Sequence, residues 1–255
     1  MNRDSRLPNK VNSQPQPTYS DFSELVPQDP ERKNQLAIFI EQINQSGGTY
    51  HRLNFGDELV MQGIFDLTKH LNLYNIPDTL EGKTVLDIGT AAGFLALECA
   101  RRGGQVTAID VYGALLPKLI SLLDVRIKYL KKSIYELDSG FGQFDLVICG
   151  SLLLHLSEPF EAIKRIRSVC RDRAIISTMC SENNATEPRP ICEFVGWKAT
   201  DGDYWTYWDI SASALRKMLL VAGFTRVTNE EHFTMVGEPR STSVVVPHIV
   251  VTAYT

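Results

Sequence analysis

The stretch that decides the fold is Val85-Leu86-Asp87-Ile88-Gly89-Thr90-Ala91-Ala92-Gly93-Phe94. Thr84 to Ile88 is a short, nearly continuous apolar run of the kind buried on both faces of a parallel sheet. Gly89 to Gly93 is a tight turn of small residues. The residues from Phe94 to Arg102 then carry apolar side chains at helical spacing until Gly103-Gly104 stops them. The same rhythm continues outward. Strands are predicted at 105–110, 127–130, 144–149 and 173–178, with a helix near 115–123. Another helix follows residue 156, with Ser157 as its cap, Pro159 at its first position, Glu158 and Glu161 in its first turn, and Arg167 and Arg171 near its end. Strands alternating with helices imply βαβ units and a parallel sheet.

The end of the chain departs from that rhythm. Ser211 caps a helix carrying Leu215, Met218, Leu219 and Ala222, and Gly223 stops it. Two strands, near 225–227 and 243–253, follow with no helix between them. They predict an antiparallel hairpin, and Pro247 in the second predicts an edge or a bulge. The fold class expected is therefore α/β: a Rossmann-like, seven-stranded, mostly parallel sheet with a C-terminal antiparallel hairpin and helices on both faces. An N-terminal helical extension over residues 21–80, covering the active site, precedes a main domain at 81–255. In the extension a helix is expected around Asn34–Ile40, ended by Gly47-Gly48, and a second over 57–70. Residues 1–20, rich in Asn, Gln, Pro and Ser, bury too little to offset the entropy of ordering and predict a disordered tail.

Composition narrows the function. Apolar residues make up 44% of the 255, enough for a sizeable core, and 26 Lys and Arg against 30 Asp and Glu give a net charge of −4. That acidic balance, with a pI near 5.8, argues against a nucleic-acid partner. No apolar run approaches the roughly 18 residues of a membrane span, and residues 1–20 lack the apolar core of a signal peptide. Five cysteines at irregular spacing form neither a disulfide framework nor a metal motif. A cytoplasmic protein without a metal site and without a membrane partner is expected.

The glycine loop points to a cofactor. A strand feeding a glycine turn and a helix N-terminus offers close backbone approach and free N–H donors. Asp110, ending the next strand 23 positions after Asp87, is placed to accept hydrogen bonds from a ribose. A dinucleotide fingerprint needs GxGxxG; here the spacing is Gly89-x-x-x-Gly93, with Ala91 in the middle. Asp87 at the loop mouth would repel a pyrophosphate and attract an ammonium and a sulfonium. Those two cations belong to S-adenosylmethionine (SAM), whose demethylated product is S-adenosylhomocysteine.

Asp87-x-Gly89-x-x-x-Gly93 followed by Asp110 resembles motif I and the acidic follower of class I SAM-dependent methyltransferases. Other segments, Tyr50-His51-Arg52-Leu53-Asn54-Phe55-Gly56, Gln62-Gly63-Ile64-Phe65-Asp66, Gly150-Ser151-Leu152-Leu153-Leu154-His155-Leu156 with Pro159, and Trp208 leading to Gly223-Phe224, resemble one branch. That branch contains the tRNA wobble-uridine carboxymethyltransferase and many small-molecule relatives. Leu154 departs from its usual aromatic residue. The resemblance implies that Asp87, Gly89, Thr90, Ala91, Gly93 and Phe94 lie beside the methionine part of SAM. It also implies that Asp110 holds the ribose, that Val111 flanks the adenine, and that Gly150 and Ser151 stand next to the sulfonium. Ser133 and Ile134 take the adenine edge, Ser133 in place of the more usual acidic residue.

Methyl transfer needs a base only if the acceptor must lose a proton. His155 is the first candidate and His51 the second. His70, His232 and His248 show no partner pattern and read as surface or packing residues. Tyr50, His51, Phe55 and Gln62, together with the aromatic cluster Trp197, Tyr204, Trp205 and Trp208, are the candidate acceptor-binding residues. The function expected is methyl transfer to N or O of a small, fairly apolar, plausibly aromatic metabolite in specialised metabolism. The alternatives are the wobble-uridine reaction on tRNA and a non-catalytic SAM-fold scaffold.

Overall fold

Val85, Leu86, Asp87 and Ile88 are all buried, so their strand lies inside a sheet covered on both faces, as its apolar run requires. Around it the chain runs α1 (Pro30–Gln45), β1 (Thr49–His51), β2 (Leu53–Asn54), β3 (Val60–Met61), β4 (Gly63–Phe65), β5 (Thr84–Ile88), α2 (Phe94–Arg101), β6 (Gln105–Asp110), α3 (Leu115–Leu122), β7 (Ile127–Lys131), β8 (Phe144–Gly150), α4 (Pro159–Val169), β9 (Cys170–Met179), α5 (Glu182–Ala185), β10 (Cys192–Lys198), β11 (Tyr204–Ile210), α6 (Ala212–Val221), β12 (Arg226–Val236) and β13 (Val245–Tyr254). This computed structural model describes residues 21–113, 115–198, 204–237 and 244–255; the expected tail at 1–20 lies outside them.

Seven strands form one sheet in the order β12-β13-β9-β8-β5-β6-β7. The pairs from β9 to β7 are parallel, and β13 runs antiparallel to both of its neighbours. The expected α/β sheet with its terminal hairpin is thus what forms, with hairpin arms of 11 and 10 residues. Pro247 is neither at an edge nor at a bulge, because β13 lies between β12 and β9. It is tolerated because the β9 ladder starts one residue later, at His248–Met179, and because its carbonyl accepts from Cys180 N–H at 3.0 Å.

Side chains alternate between two cores. Val85, Ile148, Ile175 and Val250 face α2, α3 and the N-terminal segment, whereas Leu86, Ile88, Val147 and Val251 face α4 and α6. Ser211 caps α6 by accepting from Ala214 N–H, as its sequence predicts. The cap position of α4 is Glu158 rather than Ser157 and makes no side-chain cap bond, and Arg171 lies in β9 beyond the helix. Four of the five cysteines are buried, and Cys192 is exposed.

The N-terminal segment is only partly helical. α1 forms where predicted: Pro30 opens it, and the Asp29 carboxylate accepts from Arg32 N–H at 2.8 Å. Asp29→Ala is expected to cost about 1 kcal/mol, read as a lower urea midpoint with an unchanged slope. Residues 57–70 do not form the expected helix. Gly56, Asp57 and Glu58 take left-handed backbone angles, and β3, β4 and a 3₁₀ turn at Leu67–Tyr74 follow. Glycines at 56 and 63 interrupt the apolar spacing that suggested a helix. β1 pairs with β4 and β2 with β3 as small two-stranded sheets beside the main one.

Candidate active site

The site is built at the C-terminal ends of β5, β6, β8 and β9. Gly89, Ala91 and Gly93 all have positive φ (+72°, +48° and +91°), which folds the loop back over the strand end. Gly89 and Thr90 N–H both donate to the Ile109 carbonyl, and Gly93 N–H donates to Thr90. Asp110 fixes the loop further: one carboxylate oxygen accepts from Ala91 N–H at 2.9 Å and the other from Tyr112 N–H at 2.8 Å. Each oxygen keeps a lone pair, so the carboxylate that shapes the loop still has acceptor capacity for a ribose. Val111 beside it is 46% exposed and free to flank a base.

Asp87 is the electrostatic anomaly. It is 1% exposed, and its Oδ2 is buried with no hydrogen-bond partner among the described residues. Burial, with the Asp110 carboxylate nearby, pushes its pKa up to about 7. A carboxylate kept in that position fits a cationic ligand group, and the ammonium of SAM is one. Phe94 contributes differently from the expectation. Its ring is wholly buried against Phe22 and His51, so only its backbone belongs to the loop.

Residues 49–74 roof the same face. The His51 ring sits 4.7 Å from Tyr50 and 6.1 Å from Phe94. Its Nδ1 is buried without a partner among the described residues, and burial holds its pKa down at about 3. An imidazole so desolvated stays neutral and is a poor proton acceptor at pH 7, so its place suits lining rather than base chemistry. Tyr50, its phenol pushed up to about 12 by burial, likewise stays neutral. Tyr74, not singled out from sequence, shares a 3.0 Å hydrogen bond with Ser177 at the end of β9. Phe55 and Gln62 do not line the site. Phe55 is 1% exposed and packs on Phe22; Gln62 is exposed, and its backbone bonds Asn44 and Thr49.

Beyond β8, Gly150 allows α2 to approach, since a Cβ there would stand 2.8 Å from Leu95 Cδ1. Ser151, with φ +52°, donates its N–H to both Ser177 oxygens. His155 follows on a 3₁₀ turn, and its Nδ1 meets the Trp205 carbonyl. A carbonyl only accepts, so Nδ1 carries the proton and Nε2 presents a lone pair. Burial lowers the pKa of His155, which leaves it neutral at pH 7.

The aromatic cluster divides. Trp205 lies 6.5 Å from His155 and 6.3 Å from Tyr112, so it spans from the β8 end to the cofactor loop. Trp208 donates to the Leu156 carbonyl and packs on the helix-side core, and Trp197 is half exposed on β10. The side chain of Tyr204 lies outside the described residues. Ser133 Oγ accepts from Tyr135 N–H within a capping box with Glu136, and Ile134 is buried in the helix-side core. The residues that sequence reading missed are Tyr74, Tyr112 and Ser177. Each acts through a partner distant in the chain, and only the strand-rich aromatics near 192–210 hinted at β10 and β11, which pair antiparallel and carry Trp205.

Comparison with known proteins agrees with this layout. Residues 85–173 match the family model described as "Methyltransferase domain". Among curated proteins, the ubiquinone biosynthesis O-methyltransferase of Alkalilimnicola ehrlichii is 40% identical over 88 residues, 33% of this chain and 36% of that protein. Its counterpart in Xanthomonas campestris pv. campestris is 34% identical over 100 residues, 36% of this chain and 40% of that protein. The chain therefore matches little more than a third of these relatives' length. Among solved structures, a Burkholderia thailandensis 1,6-didemethyltoxoflavin-N1-methyltransferase with bound S-adenosylhomocysteine superposes with a TM-score of 0.52 at 21% identity, covering 74% of each chain. A SAM-dependent methyltransferase from Mesorhizobium loti gives 0.52 at 15% identity, covering 72% of this chain and 96% of that one. The fold shared with these two structures thus extends well beyond the matched segment. No helix among the described residues is long and apolar enough to cross a membrane.

Proposed function

We propose that this protein is a SAM-dependent methyltransferase acting on the oxygen or nitrogen of a small, uncharged, fairly apolar metabolite. The observation that carries the reading is the buried Asp87 Oδ2, without a hydrogen-bond partner among the described residues, below a glycine loop held by Asp110. That pair suits a ligand with an ammonium at one end and a ribose at the other. When bound, SAM supplies a methyl group already activated for displacement. The protein's own task is to hold the acceptor in line with it and exclude water. Tyr50 and His51 in the N-terminal cover supply neutral walls, and Trp205 supplies an aromatic one. His155, its tautomer set by the Trp205 carbonyl, takes the proton of the acceptor through Nε2. The O-methyltransferase names of the matched relatives favour oxygen as the methylated atom.

The experiment uses methyl-labelled SAM with the purified full chain in a lysate of its own host. Protein-dependent label in the organic extract supports the proposal. Label in precipitated RNA overturns the acceptor class in favour of the wobble-uridine branch, and label in neither favours a non-catalytic scaffold. His155→Ala is expected to lower turnover roughly a hundredfold while leaving S-adenosylhomocysteine affinity unchanged. An equal loss of both would assign His155 to the cofactor site or to folding.

A further inference from the structure

His248 reads from sequence as a surface or packing residue, yet the fold buries it with one ring nitrogen unpaired among the described residues. It stands opposite Met179, the last residue of β9. Cα partners across the sheet run Asp87–Ile148–Ile175–Thr252, then Ser177–Val250 and Met179–His248 two and four residues further along β9. Alternation therefore puts Asp87, Ser177 and His248 on one face. It is the face roofed by the N-terminal segment, where Tyr74 bonds Ser177.

The imidazole is 1% exposed and fixed in two ways. Its ring stacks on Phe233 at 5.4 Å, and Phe233 in turn meets His70 at 4.8 Å. Its Nδ1 lies 2.9 Å from the Val246 carbonyl, which only accepts, so Nδ1 carries the proton. Nε2 is then a bare lone pair, buried and without a partner among the described residues. His155 is held the same way, with Nδ1 on a backbone carbonyl. A histidine retained only to fill space gains nothing from an acceptor left unsatisfied in a dry wall. An acceptor oriented by both a ring stack and a backbone bond is preorganised for a ligand.

We infer that His248 binds the methyl acceptor: its Nε2 lone pair receives a hydrogen bond from a hydroxyl or ring N–H of a neutral ligand lying between the sheet and the 49–74 cover. The word acceptor rests on the methyltransferase reading; the binding of a hydrogen-bond donor does not. The neutral state of the ring, whose pKa burial lowers to about 4, suits a donor rather than an anion.

The test is nitrogen NMR of the full chain labelled at histidine and saturated with S-adenosylhomocysteine, titrated with phenol or with toluene. Phenol is expected to move the His248 Nε2 resonance away from the unprotonated position, and toluene to leave it in place. Phenol should bind about tenfold more tightly than toluene, and His248→Phe should erase that preference without changing S-adenosylhomocysteine affinity. The inference is overturned if phenol does not bind, if it leaves the resonance unmoved, or if the variant keeps the preference. The wild-type resonance carries the test if the variant does not fold. Failure of S-adenosylhomocysteine to bind would overturn the cofactor reading instead, and phenol titration of the protein alone would still decide the role of His248.

Discussion

Asp87→Asn is expected to weaken S-adenosylhomocysteine binding by a factor on the order of a thousand, the scale of breaking a buried charge pair. The same change should make the cofactor-free protein more stable at pH 8. Both effects follow from one group. In the folded chain burial raises the Asp87 pKa from 3.8 to about 7, so between those values the folded state holds a proton that the unfolded state has lost. The contribution of Asp87 to stability is then greatest below pH 4 and falls as pH rises toward 7, by roughly 4 kcal/mol for a shift of this size. Asparagine removes the charge and with it that loss. The variant should gain most over wild type at pH 8, less at pH 5, and nothing below pH 4. An ammonium ligand needs the ionised form, so wild-type affinity should drop about tenfold per pH unit below 7, and the variant should be flat. Calorimetric titration at pH 5, 6, 7 and 8 checks this. A wild-type affinity independent of pH would mean that the carboxylate never meets the ammonium.

Gly63→Ala is expected to destabilise the N-terminal cover by about 3 kcal/mol or more, beyond ordinary overpacking. A Cβ at Gly63 would overlap the backbone of His51 and Arg52, where β4 passes β1. Backbone cannot rotate aside as a side chain does. Relief requires separating the two strands, which breaks the Thr49 N–H to Gln62 bond at 2.9 Å and the Arg52 N–H to Phe65 bond at 2.8 Å. His51 and Tyr50 move with them, so acceptor-side binding should fail together with stability. Gly82→Ala is the control. Gly82 has φ +70° with nothing within 4 Å of a new Cβ, so only backbone strain remains, about 1 kcal/mol. Urea denaturation and proteolysis near residues 56–58 measure the difference. If Gly63→Ala lies within 1 kcal/mol of wild type, the strand crossing has room that the structure denies.

The sheet was legible because its strands announce themselves. β5, β6 and β8 are short, mostly apolar runs, and the Gly89–Gly93 loop with Asp110 marks where the ligand end lies, whereas the polar 11-residue β12 was legible only at its start. Local chemistry was enough there: a positive φ, a helix start and a carboxylate are properties of a few adjacent residues. The segment at 57–70 was misread because β3 and β4 are two and three residues long. Strands so short leave no periodic signal, and they exist through contacts with α1 and β1.

The aromatic residues show the same division. Trp205 and Trp208 lie in one strand and look equivalent in the sequence. One reaches His155, while the other is tied to Leu156 and the helix-side core. Sequence also could not separate the histidines, because protonation depends on burial and on which carbonyl each ring nitrogen meets. His51, His155 and His248 are all desolvated by the fold, and the tautomers of the last two are set by carbonyls of Trp205 and Val246. The chain alone thus determined the sheet, the loop and the acidic pair, since these are encoded by neighbours along the backbone. Only the tertiary structure decided which face is roofed, which aromatics stand beside His155 and which imidazoles keep an open lone pair, because those depend on groups brought together from distant parts of the chain.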